Sequence, residues 1–374
     1  MRTIFLAVGA WAAATSLSWA EAPPTGAEFD VKAEALISDY VKESRFSGAV
    51  LVARDGKPIL REGFGLANRE WDVAVTPDTE FRVGSVTKQF TATAVMQLVE
   101  QGKIGLDDPI SKYYAAAPQT WNKVTIRLLL THRSGIPSFT DIPSFLNEQD
   151  RLDRTPEELI ALTRDKPLKF EPGTQYEYDN TGYVILGWVI EKVSGQRYAD
   201  YLRDHIFKPL GMDHTGYDVN EEVLRHRASG YELGKDGVVS NASYLAMSVP
   251  YAAGGLYSEL DDLLVWDQAL YAGKLLKPAS MADMFTDHGH HYGYGWEIQE
   301  INGRRVWWHT GSLNGFHTYI GRYPDQKLTV IVLANLFQAP VQTIGEQLAR
   351  LSFGEPLESP GEATHAGTQA ASHR

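Results

Sequence analysis

The sequence predicts an α+β fold: an antiparallel β-sheet flanked by helices, with an inserted all-α lobe. Three observations predict it. A strand hairpin lies near the N-terminus, helical periods fill the middle, and consecutive strands come near the end. The two strand regions can share one sheet, so residues 23–104 and 251–353 form the sheet part and 105–250 the lobe.

The elements follow in order. Glu28 to Ser44 has a helical apolar face of Phe29, Ala33, Leu36, Ile37 and Tyr40. Ser47 to Ala53 reads as a strand, Asp55-Gly56 as a hairpin turn, and Pro58 to Phe64 as the returning strand. A helix runs from about Ser85 to Gln101, with Gly102 suited to its C-terminal cap. Helices are predicted over 125–132, 155–164, 181–194, 198–207 and 261–272, the second with Pro156 at its first position. The period then changes to two over 305–309, 316–323 and 327–334, with a turn at Pro324-Asp325-Gln326. Val341 to Leu351 is the closing helix.

Two terminal segments fall outside this domain. Arg2 is followed by the apolar or small stretch from Ile4 to Leu17, and Ser18-Trp19-Ala20 matches a signal-peptidase site. Residues 1–20 are therefore expected to be a secretory signal, with Ala22 as a second cleavage position. The apolar run is too short for a membrane span, so a periplasmic or secreted chain without stable membrane insertion is expected. Residues 354–374 are rich in Gly, Ser, Thr, Ala and Pro and are expected to be disordered.

Composition narrows the function classes. The 374 residues are 43% hydrophobic and 22% charged, as in a soluble protein with a sizeable core. The net charge of −12 repels phosphate backbones, which argues against nucleic acid as a partner. There is no cysteine, so disulfides, thiolate catalysis and a lipobox anchor are excluded. The carboxylate and histidines of Asp287-His288-Gly289-His290-His291 could ligate zinc, but adjacent histidines rarely converge on one centre. No metal or other cofactor is expected. The sequence is silent on oligomeric state.

Three short motifs carry chemistry. In Ser85-Val86-Thr87-Lys88 the hydroxyl and the amine lie three residues apart at a helix start, on one face. A buried, neutral Lys88 could take the Ser85 proton and make it a nucleophile. In Tyr178-Asp179-Asn180 the phenol could serve as base or proton shuttle, its pKa lowered by a neighbouring cation. Asn180 can donate to a substrate carbonyl and accept from Lys88. In His309-Thr310-Gly311-Ser312, Gly311 admits a close substrate backbone, and the Ser312 amide can join that of Ser85 in an oxyanion hole. Two other His-x-Gly stretches, at His214 and His291, lack a strand context. No Gly-x-Ser-x-Gly elbow or His-Glu-x-x-His motif is present.

Ser-x-x-Lys, Tyr-x-Asn and His-x-Gly in this order resemble the penicillin-recognising serine hydrolases, most of all the class C β-lactamase-like branch. Phe81 to Lys88, Leu129 to Pro137, Phe170 to Thr174, Pro209 to Met212 and Ala252 to Leu256 also look like that branch. The resemblance spans about Phe29 to Phe353. It implies acylation of Ser85, with Lys88 and Tyr178 moving protons and Asn180 orienting substrate. It also implies that His309 and Thr310 face the substrate's anionic end. Which of Lys88 and Tyr178 is the principal base stays open. Many of these β-lactamases carry Lys at the position of His309. A mostly neutral histidine disfavours a strong β-lactamase relative to a DD-peptidase, a D-amino-acid peptidase or an esterase. The expected partner is a small-molecule or peptide substrate, including peptidoglycan-derived ones. A carboxylesterase and a non-catalytic binder of penicillin or cell-wall fragments are the alternatives on the same fold.

Overall fold

The computed structural model describes residues 26–357 apart from residue 144. The expected signal segment and residues 358–374 of the tail lie outside the described residues. The chain opens with helix α1 (Ala27–Lys42), followed by the hairpin β1 (Gly48–Arg54) and β2 (Lys57–Phe64). Helix α2 (Thr87–Glu100) comes next, and α3 (Pro156–Arg164) and α4 (Asn180–Ser194) lie in the lobe. Helix α5 (Leu260–Ala272) returns the chain to the sheet. There it forms β3 (Glu297–Ile301), β4 (Arg304–Leu313), β5 (Phe316–Tyr323) and β6 (Leu328–Ala334), then α6 (Val341–Ser352).

The sheet order is β3-β4-β5-β6-β1-β2, antiparallel throughout. The N-terminal hairpin thus joins the last strand through β1 and β6, with Val50 opposite Val332 and Val52 opposite Val330. Alternation along β1 sends Val50 and Val52 to one face, against Phe29 and Ile37 of α1 and Ile344 and Leu348 of α6. Ala49 and Leu51 point to the other face, where Phe90 of α2 and Trp266 of α5 pack. Helices cover both faces, so β6 is buried along its whole length. Trp121 and Trp266 are fully buried, in keeping with a structural role.

Local signals explain most element ends. Helix α2 stops at a Schellman motif: Lys103 N–H bonds Leu98 O and Gly102 N–H bonds Val99 O, with Gly102 at φ +69°. Helix α3 starts with a capping box between Thr155 and Glu158. The inserted lobe is helical through Leu210 but not all helical. Gly216–Tyr217 pairs with Leu256–Ser258, and Tyr231–Leu233 with Val239–Asn241. Strands of two or three residues are too short to show a period. The Asp236-Gly237 turn between the latter pair was the available signal. The model also adds a helix over Pro278–Met284 and extends the predicted 305–309 strand to Leu313.

Candidate active site

Ser85 sits in a single 3-10 turn, Gly84–Val86, that leads into α2. That turn is pressed against β4. Gly84 has φ +51°, and a Cβ there would lie 2.7 Å from Ser312 N. A Cβ on Gly311 would meet Val83 O at 1.9 Å and Ser85 N at 2.9 Å. Thr318 Oγ1 donates to Val83 O at 2.9 Å and fastens the same turn to β5. The two glycines let the Ser85 turn and the end of β4 approach backbone to backbone. The amides of Ser85 and Ser312 border this contact.

Lys88 is fully buried on the first turn of α2. Its Nζ has three neighbours: Ser85 Oγ at 3.0 Å, Asn180 Oδ1 at 2.9 Å and Ala253 O at 2.8 Å. Two of them are carbonyl oxygens that only accept. A neutral amine has two N–H donors and one lone pair, and the carbonyls use both donors. The lone pair is left for the Ser85 hydroxyl. Burial holds the Lys88 pKa well below the ordinary lysine value, opposed by the charge of Asp179. Asp179, between Tyr178 and Asn180, is itself buried, which raises its carboxyl to about 7.

Tyr178 lies on the other side of the hydroxyl. Its phenol is hydrogen-bonded with Ser85, and Lys88 Nζ is 4.7 Å from its ring centroid. Burial pushes this phenol well above the ordinary tyrosine value, against the lowering effect of that bond. This differs from the expected lowered pKa, for a physical reason: burial disfavours the charged phenolate, and it also disfavours the Lys88 cation that would stabilise it. The arrangement suits Lys88 as base and Tyr178 as a neutral proton donor.

Asn180 is the first residue of α4. Its backbone N–H donates to Ser138 Oγ at 3.1 Å and its Nδ2 to Thr140 Oγ1 at 3.2 Å. His132, at φ +56°, accepts from Asp179 N–H through Nδ1 at 3.0 Å and packs on the Tyr178 ring. These bonds fix the Tyr178–Asn180 segment from behind.

His309 is placed differently from the expectation that it meets a substrate anion. It is 4% exposed, with Nε2 at 3.0 Å from the Tyr292 hydroxyl and Nδ1 at 2.5 Å from Thr310 O. Both ring nitrogens are engaged within the protein. Thr310 is partly buried, Gly311 lies against Ser85, and Ser312 is exposed. The model thus gathers Ser85, Lys88, Tyr178 and Asn180 around one hydroxyl, with the 310–312 edge beside it.

The sequence assigns no role to the Ala253 carbonyl or to His132, although each lies in a stretch that carries the family resemblance, and Thr140 lies outside every motif. None carries a motif of its own; only three-dimensional contact shows them. The Asp287–His291 stretch sends its rings apart: His288 stacks on Tyr294, His290 on Tyr176, and His291 Nδ1 lies 3.4 Å from Asp287. Among the described residues, Asp78, Glu259 and Asp261 cluster closely enough to hold an ion, but Arg61 already bonds Asp78 and Asp261.

Comparison with known proteins gives a consistent picture. The β-lactamase family model matches residues 33–352. PbpX of Bacillus subtilis (strain 168) is 36% identical over 264 residues, 70% of this chain, and the chain spans 64% of that relative's length. Among solved structures, the octameric penicillin-binding protein homologue from Pyrococcus abyssi is 34% identical. It superposes with a TM-score of 0.79, covering 88% of this chain and 78% of that one. A D-stereospecific amidohydrolase from a Streptomyces species is 29% identical with a TM-score of 0.72, covering 88% and 99%. No helix among the described residues is long and apolar enough to cross a membrane.

Proposed function

Because the chain belongs to the β-lactamase family, we propose that it is a serine hydrolase that cleaves amide or ester bonds through an acyl-enzyme on Ser85. The carrying observation is the trio of Lys88 contacts: once the amine is neutral, the two carbonyls take its N–H groups and its lone pair faces the Ser85 hydroxyl.

In this mechanism Ser85 Oγ attacks the substrate carbonyl while its proton passes to Lys88 Nζ. The amides of Ser85 and Ser312 hold the developing oxyanion. Tyr178 gives its proton to the leaving nitrogen or oxygen and regains one from Lys88. Water then attacks the ester on Ser85, the same groups carry its proton, and the acid product leaves. Asn180 keeps Lys88 in place and offers its amide to the substrate.

A DD-peptidase or D-amino-acid peptidase is the reading we favour, with a carboxylesterase using the same steps. His309 supplies no permanent cation for a β-lactam carboxylate, which disfavours a strong β-lactamase. Non-catalytic binding is disfavoured because serine, lysine and tyrosine all stand in working contact. Export to the periplasm or medium is proposed from the composition of residues 1–20.

A hydrolysis panel tests the proposal: p-nitrophenyl acetate, nitrocefin, a D-Ala-D-Ala peptide and D-amino-acid anilides. At least one should be turned over by the wild type, and Ser85→Ala should cut that rate by about 10³-fold or more. Turnover that survives the substitution would overturn the assignment.

A further inference from the structure

The His-x-Gly stretch at His291 lies outside the six-stranded sheet, yet it delivers a side chain to the site. Tyr292 follows two residues, His290 and His291, that both hold φ +61°. Left-handed backbone costs energy for any residue but glycine, and two in succession mark a turn that its surroundings hold in place. His288 N–H bonds Tyr292 O at 3.0 Å, and Ile298 N–H bonds His291 O at 2.6 Å. Tyr292 is fully buried. Its ring stands edge-on to His132, 4.7 Å between centroids, and to His309 at 5.9 Å.

His309 lies on the Ser85 side of β4. It is two residues from Gly311 and so on the same face, and a Cβ on Gly311 would strike Ser85 N. The ring of Tyr178, the proposed donor to the leaving group, is 6.2 Å from the His309 ring. Both therefore mark the leaving-group end of the β4 edge. Leu313 opposite Phe316 closes the two-residue turn Asn314-Gly315, which makes it a hydrogen-bonded pair. Bonded pairs alternate, so Gly311 and His309 bond to β5 while the main-chain groups of Thr310 and Ser312 face away from it. Pairing with β3 stops at Trp308, so no strand takes the Thr310 carbonyl. His309 takes it instead, with Nδ1 at 2.5 Å.

These contacts fix where the hydrogens sit. A carbonyl only accepts, so Nδ1 carries a hydrogen. In the neutral ring Nε2 then holds a lone pair, 3.0 Å from the Tyr292 hydroxyl, and Tyr292 donates to it. One directed chain runs from the Tyr292 O–H to Nε2 and from Nδ1–H to the Thr310 carbonyl. The other neutral form, with its hydrogen on Nε2, would set two lone pairs against each other at Thr310. We propose that Tyr292 is a positioning residue for the reaction: its hydroxyl holds the His309 ring in the form that caps the Thr310 carbonyl. The leaving half of the substrate then meets the Thr310 N–H with the neighbouring carbonyl already taken. Without the hydroxyl, Nε2 becomes a buried acceptor with no donor from Tyr292, and the ring can turn or change form. This inference rests on the serine-hydrolase reading and adds to it a residue that acts through His309.

Two readouts on the full chain test it. With isotope-labelled histidine, long-range proton–nitrogen spectra distinguish a protonated ring nitrogen from a bare one, and His309→Gln identifies the His309 signals by their loss. The wild type should show a hydrogen on Nδ1 and none on Nε2, and Tyr292→Phe should shift both nitrogens toward averaged values. The second readout is the rate on any panel substrate whose turnover needs Ser85. There kcat/KM should fall about tenfold in Tyr292→Phe and in His309→Gln. The double variant should lose no more than either single one, because both break the same chain. The signals of the other histidines show that each variant is folded. A hydrogen on Nε2 in the wild type, ring signals unmoved by Tyr292→Phe, an unmoved rate, or additive losses would overturn the assignment while the dependence on Ser85 stands. Turnover that survives Ser85→Ala sinks the serine-hydrolase reading instead and leaves the ring signals as they are.

Discussion

Three atoms decide what Lys88 can do: Ser85 Oγ, Asn180 Oδ1 and Ala253 O. Ser85, Lys88, Tyr178 and Asn180 were legible in the sequence because each motif is local, and its spacing sets the geometry within one turn or one strand end. The closure of His309 was not legible, since it depends on which strands pair and where pairing stops. Protonation follows from burial. Protonated Lys88 cannot accept from Ser85, so kcat/KM should rise with pH as the amine loses its proton. That limb should lie far below the ordinary lysine pKa of about 10.4. Asp179 holds the Lys88 pKa up, so Asp179→Asn should move the limb to lower pH. A pH profile whose limb stays put or moves up in Asp179→Asn would contradict this account of the electrostatics.

At the scale of elements, the site depends on two backbones packed closer than any side chain allows. Gly311 in β4 has no space for a Cβ, because the carbonyl of Val83 would lie 1.9 Å away and is fixed by Thr318. Gly311→Ala should push β4 from the Ser85 turn, lower kcat/KM by about 10²-fold or more, and destabilise the fold by about 1–3 kcal/mol. Paired kinetics and urea unfolding check it; an active, equally stable variant would show that the contact is dispensable. The long helices and the sheet strands were readable from period, from Pro156, and from the Gly102 cap. The 216–217, 231–233 and 239–241 strands were hidden by their length, apart from the Asp236-Gly237 turn.

On the scale of the whole molecule, the sequence correctly suggested that the first hairpin meets the last strands, because the two strand regions needed partners and the middle was helical. It did not specify that β1 lies between β6 and β2, nor that β3 stops short of His309. Those facts leave β4 from His309 onward without a strand partner on that side, where the Tyr178 ring of the lobe lies 6.2 Å from the His309 ring. The proposed site thus lies at a junction of sheet, α2 and lobe, and the proposal turns on one hydroxyl at that junction being the reactive group. Labelling the full chain with a fluorophosphonate and mapping the adduct by peptide mass spectrometry tests this most directly. The adduct should fall on Ser85 and form much more slowly in Lys88→Ala; an adduct on another residue, or equal labelling of Ser85→Ala, would contradict it.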